Sequence, residues 1–558
     1  MSCTCSLPFA ADLSAHLDLV DAPFTVRFSR LLVLRTDRAE AAGAGAPPAT
    51  SLDIVRSVYE RRMADSVVLA GLQVRDGSGT PVPVEAVCAS CVHIGPARLL
   101  VTADDRVILR GLPAGWTVTS TDGPVRAEAR LVLEQPGTAP EAAEAEIVRT
   151  AAEWMERCPE VRPQDRAMAR FCWWVLGVNT LELGGAAAGR AVVPSKIGYV
   201  GHWQWDAYFI AVGLSHGDPE LALEQMRLAL SRPTDEGQLP DVLHEAGVLA
   251  SSDDLPPGDL ENLRAMASPA LEGTRIPLTK PPLTAFALDI IAARTGPAII
   301  DELRAGIARS QDWWFEHSDP GATGVPAYLH PYSSGLDDSP IFDHDAILRS
   351  PDLSAYLIGQ DQVLARWAEQ RGEADAAAAH RERAARLRTA LEGTWDEQGR
   401  CFRAIGGEGP VPVDAIVGLM PLLVDGLQAR LVEGLVEALE DPERYGRPFP
   451  APTVSAADPA FAAQRMWRGP VWVNTNWLVI QGLRLQGREA EAKALAESTL
   501  AMVRAGGGPH EYFDAATAQR AGRATTCFGW SAALFLDLAV AAADHAGGAA
   551  VAMSGPAA

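Results

Sequence analysis

Two loop segments carry carboxylates that could move protons. The segment PYSSGLDDSP at 331–340 contains Asp337 and Asp338, and GGGP at 506–509 precedes Glu511 in the loop HEYFD. Asp, Ser, Gly and Pro favour turns, so either segment could also hold only solvated loop carboxylates. Aromatic neighbours, as around Glu511, desolvate a carboxylate and raise its pKa towards neutral pH. A pair of such groups is what cleavage of a glycosidic bond requires.

Tryptophan and polar residues alternate in two further segments, GYVGHWQWDAYF at 198–209 and MWRGPVWVNTNW at 466–477. Core packing is the usual role of tryptophan, and it is the role expected of Trp173–Trp174 and Trp313–Trp314 inside helical patterns. A core stripe needs no polar partners, whereas a sugar stacks on aromatic rings while its hydroxyl groups need donors and acceptors. The two segments therefore favour a sugar site that includes the polar residues His202, Gln204, Asp206, Arg468, Asn474 and Asn476.

Other catalytic devices are absent from the sequence. It has no GxSxG elbow, no HExxH, no GxxxxGK[ST] loop and no i, i+4 histidine pair. Cys3 and Cys5 form CxC, and Cys88 and Cys91 form CxxC, so four thiolates could hold a structural zinc. Buried or idle thiols are the simpler interpretation of these cysteines. The sequence therefore predicts chemistry without a metal or a cofactor.

The bulk composition narrows the class of partner. The chain has 558 residues, 48% hydrophobic and 21% charged, with a net charge of −23. A surface this acidic repels phosphate backbones and anionic lipids, so nucleic acid and membrane partners are not expected. No apolar run approaches the roughly 20 residues that span a bilayer, and the N-terminus lacks a secretory pattern. A cytoplasmic protein with reduced cysteines is predicted, and the sequence does not indicate its oligomeric state.

The first 140 residues carry strand-like runs rich in β-branched residues and separated by turn signals. They predict an N-terminal antiparallel β-sandwich domain over residues 1–140, ended by a linker at 137–146. The strand-like runs are at 30–36, 66–74, 98–112 and 116–123.

From about residue 147 the apolar spacing becomes helical and predicts about thirteen helices. Successive pairs would fit an (α/α)6 toroid of six inner and six outer helices, although a helical solenoid fits the count too. The fold class is thus mainly α, with a catalytic domain over 141–548 and a disordered tail over 549–558. Helices are predicted at 147–158, 164–180, 206–215, 218–230, 283–295, 298–317, 354–371, 373–394, 413–423, 426–440, 471–486, 488–505 and 527–546.

Four segments occur in an order that resembles the (α/α)6 glycoside hydrolases of family 63, the group of glucosidase I, trehalase and mannosylglycerate/glucosylglycerate hydrolases. They are WQWDAYF, SSGLDDSP, WRGPVWVNTNW and HEYFD followed by FGWSAA. The resemblance covers residues 165–546. It implies that Asp337, rather than Asp338, is the general acid and that Glu511 is the general base of an inverting enzyme.

The same resemblance implies a site for one sugar. It places Asp206 on sugar hydroxyl groups and Trp205, Trp472 and Arg468 on the walls of the pocket, while Ser334 and Gly335 let the loop turn Asp337 inward. Lys196 and Lys280 lie in candidate pocket loops, but either could be a surface lysine. The predicted substrate-binding set is completed by Tyr199, Trp203, Gly335, Asn476, His510 and Trp530.

The leading interpretation is an exo-acting α-glycosidase, most simply an α-glucosidase, for a small glycoside or oligosaccharide. Epimerases, lyases and phosphorylases also use helical toroids, although the histidine pattern does not favour an epimerase. A non-catalytic carbohydrate-binding protein is a third interpretation. The presence of both Asp337 and Glu511 disfavours it.

Overall fold

The computed structural model describes residues 9–37, 48–59, 61–121, 123–124, 131–134, 141–255 and 275–553. Cys3 and Cys5, and residues 554–558 of the predicted tail, lie outside the described residues. The last helix, Gly529–Met553, extends beyond the predicted domain end at 548.

Ten strands between residues 31 and 134 form two five-stranded sheets. Buried side chains of both sheets, such as Leu31 and Leu99, belong to one apolar cluster that also includes side chains of the helical region. Neighbouring strands are antiparallel except for one parallel pair, Leu131–Glu134 beside Val107–Arg110. The first sheet has the order Leu31–Arg35, Leu52–Arg56, Val67–Arg75, Thr117–Ser120, Gly123–Pro124, and the second Leu131–Glu134, Val107–Arg110, Ala97–Val101, Val92–Ile94, Val84–Val87.

The helical region is a closed ring. Each of six inner helices contacts the next, and the last contacts the first, which distinguishes a toroid from an open solenoid. All eleven residues of the first inner helix are buried, as expected at the centre of a double ring. The inner helices are Gln204–Leu214, Thr284–Thr295, Pro351–Gln370, Ile416–Leu423, Val473–Leu485 and Gly529–Met553.

Six outer helices each pack against an inner one, which gives the (α/α)6 arrangement. They are amphipathic: Ala429–Glu440, for example, buries leucine and valine at helical spacing and exposes its glutamates. The outer helices are Arg166–Val178, Pro219–Ala229, Ala298–His317, Ala374–Glu392, Ala429–Glu440 and Glu489–Ala505.

One predicted α-helix has a different form. The segment predicted at 413–423 is a fully buried 3-10 helix, Ile416–Leu423, with Pro421 inside it. Proline lacks the N–H that an α-helix interior needs, which accounts for the tighter and shorter element. The remaining elements are the helices Ala10–Ser14, Met63–Ser66, Glu141–Met155, Gly185–Ala187, Ser252–Asp254, Pro331–Ser334 and Pro340–Phe342, and the small sheets Thr180–Leu183/Gly189–Val192, His202–Trp203/Val242–His244/Gly247–Leu249, Trp395–Asp396/Cys401–Phe402 and Ile405–Gly406/Gly409–Pro410.

The cysteines depart in part from the prediction of reduced thiols. Cys88 is disulfide-bonded, whereas Cys91, Cys158, Cys172, Cys401 and Cys527 are thiols. Over the described residues, no helix has both the length and the apolar character needed to cross a bilayer.

Candidate active site

The loops that precede the inner helices converge on one cavity at the centre of the ring. Nine of the twelve predicted site residues line it, together with four others. Their segments are joined by backbone hydrogen bonds: Val471 and Phe513 exchange two of them, at 2.8 and 2.9 Å, and Gln204 N donates to Asp241 O at 3.0 Å. The lining residues are Tyr199, Trp203, Trp205, Asp206, Lys280, Gly335, Asp337, Met466, Trp467, Trp472, Glu511, Phe528 and Trp530.

A tight turn presents Asp337 to this cavity. The short helix Pro331–Ser334 ends at Gly335, whose φ of 70° is left-handed. A Cβ at Gly335 would lie 2.2 Å from Cζ2 of Trp205, so only glycine fits beneath that ring. Ser334 Oγ donates to Pro331 O at 2.6 Å and accepts from Leu336 N at 3.0 Å, which fixes the turn.

Asp337 has an unusual environment for a carboxylate. Its side chain is 31% exposed, and Oδ1 is buried without a hydrogen-bond partner in the described chain. Burial raises the pKa of Asp337; nearby Lys280, with Nζ 3.9 Å from Oδ1, opposes the rise, and Asp338 adds to it. A carboxyl group without a donor to stabilise its anion favours the protonated form.

Glu511 is buried deeper and has two donors. Tyr199 Oη donates to Oε1 at 3.0 Å, and Thr525 N donates to Oε2 at 2.8 Å. Burial raises the pKa of Glu511 to about 7; these hydrogen bonds oppose the rise, and Asp337 adds to it. Both carboxyl groups therefore titrate above their usual range, but only Glu511 has donors in place for its anion.

A third carboxylate, Asp206, lies in the first turn of Gln204–Leu214. Burial raises its pKa well above the usual range, Lys280 opposes this, and Asp241 and Glu511 add to it. Lys280 is itself buried: Nζ lies 3.1 Å from Asp241 Oδ2 and donates to Tyr332 O at 2.7 Å. Burial alone would lower the pKa of Lys280, but Asp241, Asp337 and Asp206 outweigh it and raise that pKa.

Aromatic rings form the walls of the cavity. Trp467 and Trp472 are stacked with centroids 3.5 Å apart, and Trp530 meets Trp205 edge-on at 5.4 Å. Trp472 Nε1 donates to Met466 O at 2.9 Å. Flat apolar walls beside several carboxylates match the two surfaces of a pyranose ring, its C–H faces and its hydroxyl groups.

Asp338 points away from this cavity and holds a neighbouring loop. Its Oδ1 accepts from Trp467 N at 2.9 Å, and its Oδ2 accepts from Arg465 Nε at 3.1 Å. These contacts bind the acidic turn to the segment that carries the stacked tryptophans. The two adjacent aspartates are thus in different environments.

Three predicted substrate-binding residues do not line the cavity. The Arg468 guanidinium pairs with Asp343, with Nη1 donating to Oδ2 at 2.9 Å. Asn476 is fully buried; its amide donates to Pro450 O at 2.7 Å and Thr499 Oγ1 at 3.0 Å and accepts from Ala451 N at 2.9 Å. His510 precedes Glu511 in the same loop, with Nε2 2.8 Å from Gly506 O.

Four lining residues were not in the predicted set: Lys280, Met466, Trp467 and Phe528. Three of them belong to the segments MWRGPVWVNTNW and FGWSAA, so these segments could be predicted from the sequence but these individual residues could not. Lys280 follows no motif, and its burial could not be read from the sequence. Lys196, the other lysine considered, is buried elsewhere: its Nζ donates to Val26 O at 2.9 Å.

Comparison with known proteins identifies the family. Residues 199–531, a span that contains every cavity-lining residue, match the mannosylglycerate hydrolase MGH1-like glycoside hydrolase domain. A mannosylglycerate hydrolase of Thermus thermophilus is 27% identical over 62% of this chain and 96% of its own length. A glucosylglycerate hydrolase of Mycolicibacterium hassiacum is 24% identical over 64% of this chain and 95% of its own.

Solved structures support the same fold. The GH63 mannosylglycerate hydrolase of Thermus thermophilus in complex with glucose has a TM-score of 0.54 at 24% identity, covering 67% of this chain and 99% of that one. Its complex with Tris and D-glycerate gives a TM-score of 0.55 over 65% and 98% of the two chains. The (α/α)6 prediction and the resemblance to family 63 are thereby confirmed. The chain belongs to the MGH1-like glycoside hydrolase family, and it is a glycoside hydrolase.

Proposed function

We propose that this enzyme is an inverting, exo-acting α-glycosidase that removes one glucosyl or mannosyl unit from a small aglycone. One observation carries the proposal. Two carboxyl groups with different hydrogen bonding, Asp337 and Glu511, face one aromatic-walled cavity. Pairs of carboxyl groups whose environments separate their protonation states are typical of glycoside hydrolysis.

Asp337 is proposed as the general acid. A general acid must hold its proton when the substrate arrives, and burial raises the pKa of Asp337 while Oδ1 receives no hydrogen bond in the described chain. Lys280 limits that rise. A raised pKa favours the protonated form of Asp337, and this proton can pass to an oxygen that gains negative charge.

Glu511 is proposed as the general base. Tyr199 Oη and Thr525 N stabilise its anion and leave it oriented between two fixed donors. A carboxylate with a pKa of about 7 accepts a proton from water better than an ordinary glutamate does at neutral pH. The remaining lone pairs of its oxygens are available to one water molecule.

In the proposed reaction, Asp337 transfers its proton to the glycosidic oxygen as the bond from that oxygen to the anomeric carbon breaks. Glu511 removes a proton from a water molecule that attacks the anomeric carbon from the opposite face. The products are an alcohol and a free sugar of inverted anomeric configuration. Asp337 is left ionised and Glu511 protonated, and exchange with solvent restores both. Inverting enzymes keep the two carboxyl groups roughly 6.5–9.5 Å apart to accommodate that water.

The charges that line the cavity indicate the kind of substrate it suits. Its lining contains three carboxyl groups and one cation, Lys280, which already lies against Asp241. This lining suits the neutral hydroxyl groups of a sugar, with Asp206 as the hydroxyl acceptor. The relatives named for mannosylglycerate and glucosylglycerate make these two α-glycosides the first substrates to test.

The test is a panel of α-glycosides followed by proton NMR during the first turnovers. The panel contains mannosylglycerate, glucosylglycerate and methyl α-glucoside, whose aglycones are not sugars, so that only the transferred sugar gives anomeric signals. Prompt appearance of the β-anomer of the released sugar is the expected result. First appearance of the α-anomer, or absence of hydrolysis across the panel, would overturn the proposal.

A further inference from the structure

A cluster of metal-binding side chains lies far along the chain from the active-site segments, in the second N-terminal sheet. Cys88 and Cys91 flank the turn between the strands Val84–Val87 and Val92–Ile94, and His93 is in the second strand. Their sulfur and nitrogen ligand atoms all lie within 4.8 Å of one another. Cys91 Sγ is already 3.3 Å from His93 Nε2.

The local fold explains why these three side chains meet. Val87 pairs with Val92 across the hairpin, and Cys88 N donates to Cys91 O at 2.9 Å, so the turn brings the two sulfur atoms together. Residues two apart in a strand-like segment point to the same face, which places His93 beside Cys91. In a tetrahedral zinc site with bonds of about 2.0–2.3 Å, ligand atoms are separated by roughly 3.3–3.8 Å. Once the Cys88 disulfide is reduced, the three ligand atoms therefore lie close enough to surround a zinc ion after side-chain rotations.

We propose that, in the reduced protein, Cys88, Cys91 and His93 bind one Zn²⁺ ion. Cys88 is disulfide-bonded in the structure and cannot be a ligand in that state. A dithiol reductant supplies the two electrons and two protons that return Cys88 and its disulfide partner to thiols, and is itself oxidised to a disulfide. Cys88 and Cys91 then each release a proton as the thiolates bind zinc, while neutral His93 contributes a nitrogen lone pair.

The position of the turn gives the site a structural role. Ala89, inside the turn, lines a second cavity with Trp154 and Trp174 of the neighbouring helices, so the turn abuts the helical region. A metal that fixes this turn fixes the side of the sheet domain that faces the ring. Metal that binds only the folded state adds to stability by mass action.

Cobalt binding tests the site directly. The purified protein is reduced, stripped of metal without oxygen and titrated with Co²⁺, which gives a thiolate charge-transfer band where cysteine is a ligand. We expect one equivalent to bind with that band, one equivalent of Zn²⁺ to displace it, and Cys91→Ser and His93→Gln each to weaken binding at least about tenfold. Cys158→Ser, which changes a thiol outside the cluster, is the matched control and should bind as the parent does.

The proposal is overturned if the reduced parent shows no charge-transfer band, or if the cluster variants bind cobalt as tightly as the Cys158→Ser control. Zinc X-ray absorption of the parent protein gives a readout that does not depend on variants folding. Two sulfur neighbours and one imidazole nitrogen are expected in the first shell. A shell of oxygen and nitrogen alone overturns the assignment.

Discussion

Replacing Tyr199 by phenylalanine tests whether Glu511 acts as the base. The substitution removes the hydroxyl group that donates to Glu511 Oε1 at 3.0 Å and keeps the ring that packs on Trp203 and Phe528. A hydrogen bond to a charged group contributes about 1.5–3 kcal/mol. At 1.36 kcal/mol for each pKa unit, the loss corresponds to a rise of about one to two units in the pKa of Glu511.

The expected shift has a definite sign. Losing a donor disfavours the anion, so the pKa of Glu511 rises from about 7 and a higher pH is needed to ionise it. A general base acts when ionised, so the rising limb of kcat/KM against pH should move up by about one to two pH units. The assay is kcat/KM from pH 4 to about 10 on the best substrate of the glycoside panel.

Tyr328→Phe is the matched control. Its hydroxyl group is also buried and donates to a carboxylate, Asp352 Oδ2, at 2.9 Å, but neither residue lines the cavity. The control should leave the rising limb unchanged. The reasoning would be refuted if the rising limb of kcat/KM stays at the same pH in Tyr199→Phe while the maximal kcat/KM falls. A rising limb that moves to lower pH would refute it too.

Three further substitutions separate structural from catalytic roles in and near the site. Gly335→Ala places a methyl group 2.2 Å from Trp205 at a φ of 70°, so the free energy of unfolding in urea should fall by about 2–4 kcal/mol and kcat/KM should fall. The same change at Gly324, where φ is 78° and no atom lies within 4 Å, should lower the free energy of unfolding by about 1 kcal/mol. Equal losses of stability at the two positions would contradict the packing argument. Lys280→Gln removes the cation 3.9 Å from Asp337, so the falling limb of kcat/KM should move up by about 1–3 pH units, and a downward move would contradict it. Asn476→Ala should lower the free energy of unfolding by about 1–3 kcal/mol with KM nearly unchanged; a large rise in KM without loss of stability would instead favour the predicted sugar contact.

Much of the architecture could be predicted from local sequence patterns. The helical spacing of apolar residues predicted the positions of nearly all the helices of the ring, because each helix buries one face. Closure of the ring is a long-range property, visible only in the contact between Gln204–Leu214 and Gly529–Met553. The 3-10 form of Ile416–Leu423 depends on Pro421 and on close packing, which periodicity does not register.

The site could be predicted at the level of segments more reliably than at the level of residues. Polar residues beside tryptophan and glycine marked the correct loops, but a buried polar residue can serve the fold as well as a ligand. The side-chain amide of Asn476 donates hydrogen bonds to the backbone at Pro450 and to Thr499, and Arg468 forms an ion pair with Asp343. Lys280 could be placed only in a candidate pocket loop, with a surface lysine as the alternative, because its three carboxylate neighbours are brought together only by the fold.

The division of labour between Asp337 and Glu511 is tested most directly by comparing two leaving groups. Fluoride departs without a proton, whereas the aglycone of a natural glycoside needs one, and general acid catalysis contributes about 10²–10⁴-fold. The measurement is kcat/KM of Asp337→Asn and Glu511→Gln on the α-glycosyl fluoride and on the glycoside of the same sugar. We predict that Asp337→Asn retains most activity on the fluoride but loses about 10²–10⁴-fold on the glycoside, while Glu511→Gln loses activity on both. Equal losses by Asp337→Asn on the two substrates, or activity of Glu511→Gln on the fluoride, would contradict the assignment of acid and base.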